Sequence, residues 1–221
     1  MRLTILHADA NALVIDKPAG LAVHPGPRTP HSLEDLLPSL VQGTRHVPAP
    51  VHRLDRDTSG CLCLARTRAA HRALSAAFAA RQVRKTYLAL LRGEVPGESG
   101  VIDSPLAKIS SAAQGWRMIR SATGQPARTR WNVLRRTPGT TLVRFEPETG
   151  RTHQLRVHAT IIAAGIVGDP IYGDAAPDEP AATLLHAWRL AVPMINGAPA
   201  FLAEAPPPAL LDPLSSSGEA A

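Results

Sequence analysis

Apolar and polar positions alternate along LTILHADANALVIDKPAG, with a break at ADAN. This predicts two strands joined by a turn, the second ended by the rigid Lys17-Pro18 step. Residues 24–49, with Pro25, Pro27, Pro30, Pro38 and Pro48 inside and Pro50 just beyond, predict a long connection holding one short helix near SLEDLLPSL. The charged loop VHRLDRDTSG follows, and then CLCLA, an apolar run with the length of a buried strand. Thr67 is placed to cap a helix over 68–82, in which Ala70, Leu74 and Phe78 recur on one face. KTYLALLRG predicts a strand with Lys85, Tyr87 and Ala89 on one side. Turns at Thr123-Gly124 and Pro138-Gly139 predict two hairpins, with RTRWNVLRR and TTLVRFEP among their strands. TGRTHQLRVHATIIAAG reads as a loop feeding a helix, with Leu155, Ala159 and Ile162 as its buried stripe and Gly165 as its stop. LLHAWRLAV predicts a late strand. The Pro- and Ser-rich end, from residue 205 to 221, predicts a flexible tail. Strands and helices mix without regular βαβ alternation, so the expected class is α+β: one domain over 1–204 with a mixed, largely antiparallel sheet flanked by helices and loops.

Composition narrows the partners. The 221 residues are 44% hydrophobic and 19% charged, a globular balance with enough chain to bury a core. Lys and Arg number 24 against 18 acidic residues, net +6, and Arg117, Arg120, Arg128, Arg130, Arg135 and Arg136 crowd one stretch. That excess points to a polyanion. A membrane span is not expected, because the longest apolar run, IIAAGIV, falls far below the ~20 residues required. The N-terminus has His7, Asp9 and Asn11 where a secretory segment needs an apolar core, so a cytoplasmic protein is expected. The two cysteines, Cys61 and Cys63, suit neither a disulfide framework nor a four-ligand zinc site, and read as small core residues.

Three places carry candidate chemistry. Asp55 sits among His52, Arg53, Arg56 and Asp57 just before an apolar strand. An aspartate among arginines is expected to be ionised, fit to act as nucleophile, general base or metal ligand. The competing assignment is a structural ion pair at a strand entrance. Thr58, Ser59 and Gly60 suit a tight turn able to hold a carboxylate or phosphate. Arg151 and Arg156 flank a helix start, where N–H groups favour anions. Arg156, next to core-facing Leu155, calls for a carboxylate partner, and Asp55 is available. His153 and His158, five apart, do not form a zinc pair on one helix face. Tyr87, beside Lys85, either packs in the core or stacks on a base and exchanges a proton. An aspartyl phosphotransferase is disfavoured: in DRDT the Thr comes one place early, and HRL replaces the apolar strand that should lead into the first Asp.

HRLDRDTSG resembles the signature of RluA-type RNA pseudouridine synthases, with His52 marking that branch. KPAGLAVHP at 17–25, RKTYLAL at 84–90, GQPART at 124–129, TGRTHQLRVH, GDPIYGD at 168–174 and LLHAWRL resemble further family motifs in the same order. The resemblance runs from about residue 4 to 203. It implies the pseudouridine synthase fold and an isomerase that converts uridine to pseudouridine without cofactor or metal. Asp55 would be the nucleophile or essential carboxylate, and Tyr87 would stack on the base. Arg156 would form the ion pair orienting Asp55, Leu155 would pack on the base, and Arg53 would fill the gap left by the flipped nucleotide. His52, Arg56, Thr58, Lys85 and Arg151 complete the RNA-contacting set. The expected partner is tRNA or 23S rRNA, with no obligatory protein partner and a monomeric state. No preceding RNA-binding module of the kind many members carry is expected, so substrate choice is expected from the domain's own loops. A non-catalytic RNA-binding relative would have lost Asp55, Tyr87 or Arg156, and all three are present.

Overall fold

A computed structural model describes residues 3–26, 29–41, 43, 45–111, 115–173, 182–195 and 197–214. In chain order the elements are β1 (Thr4–Ala8), β2 (Ala12–Lys17), two 3-10 turns (Leu33–Asp35 and Leu37–Leu40), β3 (Ala49–Pro50) and β4 (Ser59–Ala65). Next come α1 (Arg68–Ala79), β5 (Arg84–Arg92), β6 (Ser99–Asp103), β7 (Leu106–Ser111) and β8 (Gly115–Arg120). They are followed by β9 (Arg128–Thr137), β10 (Thr140–Pro147), α2 (Gln154–Ile162), β11 (Leu185–Val192), β12 (Phe201–Glu204) and a last 3-10 turn (Ala209–Leu211). The chain forms two compact units, Met1–Lys85 with Ala187–Pro206, and Thr86–His186 with Pro207–Ala221.

In the first unit β1 pairs with β2, β2 and β3 with β4, and β11 with β12, all antiparallel. β2 and β4 are buried at nearly every position, which explains why CLCLA reads as one apolar run rather than an alternation. Helix α1 starts where Thr67 Oγ1 accepts the Ala70 N–H at 3.1 Å, and packs Ala70, Leu74 and Ala77 toward Val14, Cys63 and Leu190. Phe78, expected on that face, is only partly buried. Cys61 and Cys63 are buried free thiols, as expected, and burial pushes both up to about 12.

In the second unit β5, β10, β9 and β6 pair in that order, all antiparallel, with β9 and β10 joined by the Pro138-Gly139 turn. Leu88, Leu91, Leu142, Phe145 and Ile166 form its interior. β7 and β8 make a separate hairpin, and α2 packs by β8. The α+β class with a largely antiparallel sheet is therefore the one found.

Residues 205–214 of the segment expected as a flexible tail are among those described. Ala205 is buried and donates its N–H to Trp188 O at 2.9 Å in the first unit. In the second, Leu211 is buried and Arg135 donates to Asp212 O at 3.0 Å. Two apolar anchors hold a Pro-rich segment that composition alone marks as loose. Residues 215–221 of that expected tail lie outside the described set, as does Asp174 of the GDPIYGD motif.

Candidate active site

The loop before β4 is a turn fastened from three sides. Thr58 N–H donates to Asp55 O at 3.2 Å, so Asp55 opens a β-turn with Arg56 and Asp57 at its corners. Arg56 is exposed and pairs with Asp57 at 3.1 Å. Arg53 is exposed, Asp55 is partly exposed, and Leu54 between them is buried. Thr58, which closes that turn, is buried at 3% exposure. Gly60, the second residue of β4, has φ +104°; a Cβ there would sit 2.3 Å from Ala187 O, so no other residue fits.

Lys17 is the fastening that the sequence did not reveal. Its side chain is fully buried, and Nζ donates to Pro18 O and Leu21 O at 2.8 Å and to Arg56 O at 2.9 Å. One ammonium thus satisfies three carbonyls and ties the KPAGL bend to the Asp55 turn. Gly20 N–H adds a bond to Arg56 O at 2.9 Å. Burial pulls Lys17 down to about 8, with Asp57, Asp55 and Asp16 opposing.

His52 braces the other side. Its Nε2 accepts the Cys63 N–H at 2.9 Å, and its ring stacks on Phe78 at 4.4 Å. Burial, with the Lys85 charge adding, holds it down at about 3, so the ring is neutral. The ring thus ties the loop to β4 and α1 within this unit. Burial also lowers Lys85, with Arg81 contributing.

In the second unit the start of α2 is built from polar bonds. Gln154 Oε1 accepts from Thr149 Oγ1 at 2.7 Å and from the Arg151 N–H at 3.0 Å. Gln154 Nε2 donates to Thr129 Oγ1 at 2.9 Å, and that hydroxyl meets His158 Nδ1 at 2.9 Å. His158 Nε2 donates to Ser104 O at 3.1 Å, and burial keeps the ring neutral by lowering its affinity for a proton. Thr149, Gln154 and His158 of the TGRTHQLRVH motif therefore hold the helix, and Arg151 Nε donates to Pro126 O at 3.1 Å.

Arg156 is buried at 5% exposure, and Asp169 takes its Nε at 2.7 Å and its Nη2 at 2.6 Å. Asp169 Oδ1 also accepts the N–H groups of Ile171 and Tyr172 at 2.9 and 3.1 Å. Burial alone would raise the Asp169 carboxyl, but this fork and the two amides hold it below the usual carboxylate range. The carboxylate that a buried arginine calls for is thus present within this unit, in a residue the sequence reading did not single out. The Arg156 guanidinium also lies 5.1 Å from the Tyr172 ring centroid. Leu155 is buried, and Tyr87 lies on β5 opposite Phe145 of β10. Among the described residues no three His, Cys, Asp or Glu side chains gather as a metal site, and no helix is long and apolar enough to cross a membrane.

A model of the RNA pseudouridylate synthase family matches residues 11–160. The chain is 49% identical over 205 residues to an uncharacterized RNA pseudouridine synthase of Zymomonas mobilis, covering 92% of this chain and 93% of that one. It is 39% identical to the ribosomal large subunit pseudouridine synthase D of Nitrosomonas europaea, covering 93% of this chain, and 41% identical to synthase C of Haemophilus ducreyi, covering 79%. It spans only 62% and 54% of those two relatives. The structure of human RNA pseudouridylate synthase domain containing 1 superposes with a TM-score of 0.78 at 28% identity, covering 93% of this chain and 83% of that one. The chain belongs to the RNA pseudouridylate synthase family, in its RluA-type branch, a family of isomerases.

Proposed function

We propose that this chain isomerises uridine to pseudouridine in large-subunit ribosomal RNA, with Asp55 as the essential carboxylate. The reaction breaks the N1–C1′ bond, turns the uracil, and rejoins it through C5, whose proton leaves. No electrons are gained or lost, and no group donor is consumed. The observation that supports Asp55 most is its mounting: a partly exposed carboxylate opening a turn whose backbone is gripped from below by buried Lys17. A reacting carboxylate gains from such a rigid mount. Tyr87 is proposed to stack on the target base and Leu155 to pack against it. Arg156 is proposed to orient Asp55, and Arg53 to fill the space of the flipped nucleotide. Extrusion of the base costs a few kcal/mol, which phosphate contacts offset. The relatives' names favour ribosomal RNA over the tRNA also expected from the motifs.

Release of tritium from RNA labelled at uridine C5 tests this directly. Wild type is expected to release label, whereas Asp55→Asn should lose about 10³-fold or more of that rate and still bind RNA within a few-fold. Wild-type turnover in the variant would remove Asp55 from the mechanism.

A further inference from the structure

The basic stretch at 117–136 is not one surface. Arg128 and Arg130 pair with Glu148 at 2.9 and 2.6 Å, Arg136 pairs with Glu98 at 2.7 Å, and Arg135 donates to a carbonyl. Among the described residues no carboxylate pairs with Lys108, Arg117 or Arg120, and these three share the β7–β8 hairpin. Its sequence, LAKISSAAQGWRMIR, contains no acidic residue. Arg117 Nε is moreover buried without a hydrogen-bond partner.

Trp116 stands on the same hairpin, 45% exposed. Its ring stacks on His153 at 4.9 Å, and Lys108 Nζ lies 5.1 Å from its centroid. His153 holds φ +52°, a left-handed backbone that a non-glycine residue seldom adopts. It is kept there by Tyr172, whose hydroxyl meets His153 Nδ1 at 2.9 Å and accepts the Met118 N–H at 2.8 Å. The same Tyr172 ring meets the Arg156 guanidinium. A chain of ring contacts therefore runs from solvent, through Trp116 stacked on His153 and Tyr172 edge-on to it, to the buried Arg156–Asp169 pair.

We propose that this hairpin is a second RNA-contacting surface. Trp116 is the platform for one unpaired nucleotide, and Lys108 and Arg120, on its face of the hairpin, meet the adjoining phosphates. The proposal rests on the RNA-modifying reading above and adds to it an element that holds single-stranded RNA whatever its sequence. An indole backed by a fixed imidazole offers a rigid face to any base, and cations without acids around it match a phosphate backbone.

Binding of a short, fluorescein-labelled, uridine-rich single-stranded RNA tests it across a range of KCl concentrations. Trp116→Ala should weaken binding about 10-fold, the scale of one lost base stack, whereas Trp116→Phe should stay within about 3-fold. Lys108→Ala, which removes only an exposed side chain, should lower the slope of log Kd against log salt by about one counterion. Wild-type affinity in Trp116→Ala, or an unchanged slope in Lys108→Ala, overturns the proposal. Binding is read without turnover. A chain that binds through Trp116 yet releases no tritium from C5-labelled RNA would uphold the surface and sink the isomerase reading.

Discussion

Arg156 carries its charge into the interior because Asp169 meets it with both oxygens and has two backbone amides of its own. Removing one partner of such a pair leaves the other charge buried and unpaired. Asp169→Ala is therefore expected to cost about 3–5 kcal/mol in urea unfolding, and to lower tritium release by more than the loss of folded protein explains. Melting and turnover at wild-type levels would show that the fork positions nothing. Asp55 and Arg156 stood out as candidates in the sequence, the one among charges just ahead of an apolar strand, the other beside core-facing Leu155. Asp169 and Lys17 did not, since their tasks depend on contacts across 13 and 39 residues of chain. His52 and Thr58 were legible as members of a motif, but which members face inward is decided by the fold of the turn.

At the scale of elements, the Asp55 loop depends on β4 and α1 through His52. In the folded chain this ring stays neutral down to about 3, while an unfolded histidine takes a proton near ~6.5. Between those values the unfolded chain binds the extra proton, so this group makes stability fall as pH falls, by about 1.4 kcal/mol per unit. His52→Gln, whose amide oxygen can accept the Cys63 N–H without titrating, should show a shallower loss between pH 6 and pH 4. Equal slopes for the two proteins in urea titrations would rule out His52 as the acid-sensitive brace. The longer elements were readable from periodicity: β2, β4, β5, β10 and α2 fall where the apolar patterns put them. Helix α1 ends at Ala79 rather than running on to 82, because Arg81 adopts φ +59° while Gln82 N–H donates to Ala77 O. That is a left-handed stop built without the glycine that would have announced it. The short strands β6, β7, β8 and β12 carry too few alternating positions to stand out, and the helix expected at SLEDLLPSL splits into two 3-10 turns around Leu36.

At the scale of the molecule, a net charge of +6 says that a polyanion is attracted but not where it lands. Ion pairing within the second unit withdraws Arg128, Arg130 and Arg136, half of the arginine cluster, from that role, so an arginine count overstates the binding surface. Arg136 bonds both Glu98 and the Gly97 carbonyl, at 2.7 and 2.6 Å, and has little left to offer a phosphate. Arg136→Ala should thus leave RNA affinity within about 2-fold and the salt slope unaltered, since no counterion-releasing contact is removed. Its stability cost should stay near the ~1 kcal/mol scale of an exposed pair. Filter binding over a KCl series checks this. A slope reduced by about one in Arg136→Ala would mean that RNA competes Glu98 away and that the contact surface extends along β9 beyond the hairpin.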